Sequence, residues 1–166
     1  MIETLKKLVL ETARTLQERG YILTTAESCT GGGLSYWLTS VPGSSDWFDR
    51  GYVTYSNDAK TEMLQVDPVI LENQGAVSEA AARAMAEGAL RNSRANISIA
   101  ITGIAGPDGG TAEKPVGTVW IAWSGKYFNT LAQHFVFTGD RQSIRLASMA
   151  SALEKLIELA RLQRSA

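Results

Sequence analysis

The residues of this chain best suited to covalent chemistry sit in one short run, Ala26-Glu27-Ser28-Cys29-Thr30-Gly31-Gly32, in which hydroxyls and a thiol precede a glycine pair. A serine of ordinary acidity is a poor nucleophile and needs a base within hydrogen-bond reach. His134 is the only histidine, and it lies in the alternating run Asn129 to Phe137, where a lone histidine more often serves structure. Lysine is the remaining candidate base, provided that burial or a neighbouring positive charge keeps it neutral. Lys60 follows the polar cluster Tyr55-Ser56-Asn57, near a predicted helix N-terminus whose dipole disfavours an ammonium. On spacing alone, a solvated surface lysine is the better fit. Cys29 is an alternative nucleophile beside Ser28 and equally well a small packed residue. The turn itself has two readings. Its N–H groups and the positive end of the following helix could hold an oxyanion, or Ser28 and Thr30 could be helix caps with the glycines as a packing device.

Two further stretches could bind a ligand. The segment from Gly103 to Pro115 offers backbone donors together with Asp108 and Lys114, which suits a ribose or a phosphate; a flexible crossover is the alternative. Gly139-Asp140-Arg141 sets an arginine at a helix start, a natural place for a phosphate monoester or simply a surface arginine. Neither the phosphate-loop pattern nor the dinucleotide Gly-x-Gly-x-x-Gly pattern is present, which excludes nucleotide binding through those motifs. One cysteine and one histidine cannot make a zinc cluster or an internal disulfide, so neither a metal nor a cofactor is expected.

These residues need a scaffold, and 166 residues with 45% apolar and 20% charged content fit one domain over 1–166. The formal charge of −1 and scattered basic residues argue against a nucleic-acid partner. No apolar run approaches the roughly 20 residues of a membrane span, and the charged amphipathic start does not read as a signal peptide, so a cytoplasmic protein is expected. Periodicity predicts a helix over 2–19 ended by Gly20, a buried strand over 21–26, a strand over 48–55 and a helix from Ser56 or Asn57 to about Leu64. Ser78 caps a further helix with a small-residue face at Ala81, Met85, Gly88 and Ala89. A strand then runs from Ile97 to Thr102, and another over 116–123 turns at Ser124-Gly125-Lys126 into a strand over 127–137. Asp140 caps a long final helix. Alternating strands and helices with one hairpin give a three-layer α/β/α domain with a mixed sheet.

Five blocks in order resemble the CinA C-terminal domain family: the Ser28 turn, Thr54-Tyr55-Ser56-Asn57-Asp58-Ala59-Lys60, Gly75-Ala76-Val77-Ser78, Thr102-Gly103-Ile104-Ala105-Gly106-Pro107, and Lys114-Pro115-Val116-Gly117-Thr118-Val119. The resemblance covers nearly the whole chain. It implies a three-layer fold, a homodimer, and deamidation of nicotinamide mononucleotide to nicotinate mononucleotide within pyridine-nucleotide salvage. Carried over by position, Ser28 is the nucleophile, Lys60 its base, and Tyr55 an orienting or proton-relaying group. Thr30, Gly31 and Gly32 are expected around the oxyanion, and Thr102, Gly103, Gly106 and Arg141 around the substrate. Some members carry an additional N-terminal domain resembling molybdopterin-binding proteins, and that domain's activities are not implied here. The alternative within the family is an inactive nucleotide-binding or regulatory paralogue.

Overall fold

The computed structural model describes residues 1–162. Five strands form one mixed sheet in the order β2-β1-β3-β4-β5. They are β1 (Leu23–Glu27), β2 (Phe48–Val53), β3 (Ile97–Gly103), β4 (Thr118–Gly125) and β5 (Phe128–Val136). β1 lies parallel to both β2 and β3, and the β3-β4 and β4-β5 pairs are antiparallel. β1 is buried along its whole length, as a strand covered by helices on both faces must be. In register, Glu27 stands opposite Val53 on one side and Ile101 on the other, so β1 and β2 end together while β3 runs two residues further, to Gly103.

The two faces of the sheet differ in residue size. Ile97, Ile99 and Ile101 point into a large core shared with α1 (Ile2–Arg19), α2 (Gly33–Thr39) and α6 (Arg141–Leu162). On the opposite face Ala26, Ala100, Ala122 and Ala132 form a row straight across β1, β3, β4 and β5. Beneath that row lie α3 (Asn57–Leu64), α4 (Pro68–Gln74) and α5 (Glu79–Arg91). The predicted small face of α5 meets it with Ala81, Met85, Gly88 and Ala89, all buried. Gly88 also touches α3 so closely that a Cβ there would stand 2.1 Å from the carbonyl oxygen of Leu64. α5 is thereby locked both to the sheet and to the helix that carries Lys60.

The expected three-layer α/β/α arrangement is present, with differences of detail. α4 was not expected; Asp67 caps it by accepting from the Val69 N–H at 2.9 Å, and Pro68 opens it. The hairpin turns at Lys126-Tyr127, because Gly125 still pairs with Phe128. Gly20 ends α1 in the left-handed conformation, and Asp140 accepts from the Ser143 N–H at 2.8 Å at the start of α6. Among the described residues no helix is long and apolar enough to cross a membrane, and no group of three or more His, Cys, Asp or Glu is placed to hold a metal.

Candidate active site

Ser28 stands one residue beyond β1, beside the last residues of β3. Its N–H continues the ladder to the Ile101 carbonyl (2.9 Å), and its own carbonyl accepts from the Gly31 N–H (2.9 Å), which bends the chain into a tight turn. On the neighbouring strand, the Thr54 N–H donates to the Glu27 carbonyl (2.8 Å) and carries the chain past the sheet edge to Ser56. Ser56 Oγ accepts from the Ala59 N–H at 3.0 Å and starts α3. One turn into that helix, Lys60 reaches back beneath the strand ends. Its Nζ lies 3.0 Å from Ser28 Oγ and donates to the Thr54 carbonyl at 2.7 Å.

Lys60 is 1% exposed and forms no ion pair among the described residues. Burial lowers its pKa from the ordinary lysine value of 10.5, with Cys29 opposing in the weaker, upward direction. The surface lysine favoured by spacing is therefore a buried amine on a serine hydroxyl. Cys29 is buried too, and burial is the main cause that pushes its thiol up to about 11, against its own N–H, Arg145 and Arg141 acting downward. A thiol so placed stays protonated at neutral pH and is a weak nucleophile.

A cleft of about 280 Å³ opens onto Ser28, Cys29, Tyr55, Gly103, Gly106 and Arg141, with Asp108 also in its wall. Tyr55 is 60% exposed, and its hydroxyl accepts from the Arg141 guanidinium at 2.8 Å. The same guanidinium donates to the Gly106 carbonyl at 2.8 Å, so Arg141 ties the glycine loop to Tyr55 across the cleft. Of the predicted residues, Ser28, Lys60, Tyr55, Gly103, Gly106 and Arg141 come together here. A larger groove between α3 and α4, lined by Asn57, Asp58, Thr61, Glu62 and Glu72, offers no serine or cysteine.

Other expected residues stand differently. The Gly31 N–H is committed to the Ser28 carbonyl, so it is not a free oxyanion donor. Thr30 is fully buried, and neither it nor Gly32 lines the cleft. Thr102 Oγ1 donates to the Ala76 carbonyl at 2.8 Å, which fixes the 75–78 turn rather than facing the cleft. Lys114 donates to the Gln74 carbonyl at 2.7 Å, and exposed His134 packs on Trp120 with 5.0 Å between ring centroids.

Two residues that sequence reasoning left out hold the turn. Glu27 is fully buried, and its carboxylate accepts from the N–H groups of Leu34 (2.8 Å) and Ser35 (3.0 Å) and from Ser35 Oγ (2.7 Å). The positive end of α2, expected to receive an oxyanion, is thus filled by the chain's own carboxylate. Arg145, on α6, donates to the Thr30 carbonyl at 2.8 Å. A carboxylate ending a buried strand was a usable signal for Glu27; Arg145 had only its spacing of four from Arg141.

Residues 5–160 match the CinA C-terminal domain. The chain belongs to that family. Among CinA relatives, the nicotinamide-nucleotide amidohydrolase PncC of Escherichia coli K12 is 47% identical over 152 residues, 92% of each chain. A CinA-like protein of Syntrophobacter fumaroxidans is 52% identical over 91% of this chain, which spans only 35% of that longer protein. The crystal structure of the competence/damage inducible protein CihA of Agrobacterium tumefaciens superposes with a TM-score of 0.92 at 46% identity, covering 94% of this chain and 95% of that one.

Proposed function

We propose that this chain is a nicotinamide-nucleotide amidohydrolase that converts nicotinamide mononucleotide to nicotinate mononucleotide and ammonia, with Ser28 as nucleophile and Lys60 as its base. The observation that carries the reading is a buried lysine amine, without an ion pair among the described residues, 3.0 Å from a serine oxygen at the wall of a polar cleft. PncC relatives of nearly the same length supply the substrate class.

Neutral Lys60 takes the Ser28 proton as Oγ bonds to the carboxamide carbon. The Gly31 N–H is committed elsewhere and Thr30 and Gly32 lie outside the cleft wall, so the oxyanion falls to backbone N–H groups that do line it, at Ala105 and Gly106. Lysinium protonates the departing nitrogen, the C–N bond breaks, and ammonia leaves. Water then gives a proton to Lys60 and its oxygen to the acyl carbon, and Ser28 recovers its proton as it is released. Arg141 exchanges its Tyr55 and Gly106 partners for the substrate phosphate, and the 103–106 loop faces the ribose. No step in this sequence calls on a metal.

The same reading takes the protein as a cytoplasmic homodimer with one catalytic domain over 1–166, engaging neither nucleic acid nor membrane; the dimer rests on the family resemblance and is checked by sedimentation. The functional test is ammonia release from nicotinamide mononucleotide, with wild type beside Ser28→Ala and a chelator present throughout. Turnover that disappears in the variant is expected. A wild type that binds the nucleotide without releasing ammonia would replace the amidase with a binding paralogue.

A further inference from the structure

Arg145 is an unusual arginine for a stable fold. It is half-buried, it makes no ion pair among the described residues, and its Nε is buried without a hydrogen-bond partner. Its hydrogen bond runs from a terminal nitrogen to the Thr30 carbonyl. A charge kept so poorly satisfied calls for a reason other than stability.

The reason lies in the peptide unit that it grips. The Thr30 carbonyl and the Gly31 N–H are two ends of one rigid plane. One end accepts from the Gly33 N–H at 2.9 Å within the turn and from Arg145 at 2.8 Å, the one side chain on it among the described residues, and the other end donates to the Ser28 carbonyl at 2.9 Å. Gly31 and Gly32 both have positive φ, 58° and 91°, so the turn is built from residues with wide conformational freedom. The guanidinium also lies along it: a Cβ on Gly31 would stand 3.5 Å from Arg145 Nη2, and one on Gly33 3.9 Å. Holding the Thr30 end of the plane therefore fixes the backbone of Ser28, which Glu27 anchors from the α2 side.

We propose that Arg145 is a positioning residue, acting through the Thr30-Gly31 peptide plane to hold Ser28 Oγ on Lys60. The role takes Ser28 as the nucleophile, as in the preceding section. Misplacing a reacting group by about 1 Å can lower a rate on the order of 100-fold.

The test compares wild type, Arg145→Met and Arg145→Lys by steady-state kinetics on nicotinamide mononucleotide, thermal melting, and amide hydrogen exchange of the segment 28–35. In Arg145→Met, kcat is expected to fall about 100-fold with KM unchanged, the segment to exchange faster, and the melting temperature to stay at or above that of wild type. Arg145→Lys, which keeps a donor, regains part of both kcat and protection. Retained kcat, a raised KM at constant kcat, unchanged exchange, or a melting temperature below wild type would each overturn the role. If the wild type releases no ammonia, the amidase reading fails separately, and faster exchange in Arg145→Met still decides whether Arg145 holds the turn.

Discussion

Replacing Lys60 with methionine keeps the length of the side chain and removes its amine. Two effects on stability oppose each other. The Thr54 carbonyl loses its donor at 2.7 Å, at a cost of roughly 1–3 kcal/mol. Against this, wild type holds a lysine at 1% exposure, and each unit by which burial lowers a pKa corresponds to about 1.4 kcal/mol. The two oppose each other, so Lys60→Met is expected to lose less stability at neutral pH than the broken Thr54 hydrogen bond alone would cost. Activity has no such compensation: loss of a general base removes roughly 10²- to 10⁴-fold of rate, about 2.7–5.4 kcal/mol of barrier. The pH dependence carries a sign. Between Lys60's lowered value and 10.5 the unfolded chain binds more protons than the folded one, so wild-type stability gains with rising pH relative to Lys60→Met. kcat/KM of wild type rises as pH climbs through that lowered value and levels off above it, where the amine is already neutral. Ammonia release and urea unfolding across pH 7 to about 10.5 measure both. A variant within tenfold of wild-type kcat, or a wild type that loses stability relative to it as pH rises, would refute the assignment.

Three other perturbations separate the parts of the site. Cys29→Ala should leave kcat close to wild type in the same ammonia assay, because a thiol pushed up to about 11 supplies little thiolate. Glu27→Gln keeps one acceptor oxygen and puts an amide NH₂ against either the Leu34 N–H or the Ser35 N–H; a loss of roughly 1–3 kcal/mol in urea unfolding is expected, together with lower kcat. Gly88→Ala drives a methyl into the Leu64 carbonyl, and a destabilisation of about 1–3 kcal/mol with weakened turnover would show that the α5-α3 contact sets the position of Lys60.

What was legible in the sequence was local. Gly20, Ser56, Ser78 and Asp140 mark helix ends by their own chemistry, and each does so in the structure. Asp67-Pro68 carried an equally good start signal for α4, obscured by the shortness of that helix. The burial of Lys60 was not legible, because it depends on strands and helices brought over the residue from elsewhere in the chain. Spacing also misjudged the mouth of α2: it showed an electropositive end but not that Glu27, pointing inward from a fully buried strand, already occupies it. The Thr30-Arg145 contact spans 115 residues, and no local pattern reports it.

That span also orders events during synthesis. Ser28 and Lys60 are 32 residues apart and leave the ribosome early, whereas Arg145 follows Lys60 by roughly 85 residues, about 4–17 s at translation speeds of ~5–20 residues per second. A nascent chain holds both reacting side chains while the turn that presents one to the other still lacks its contact from Arg145. Under the proposed role of Arg145, full amidase activity belongs only to chains grown at least as far as α6.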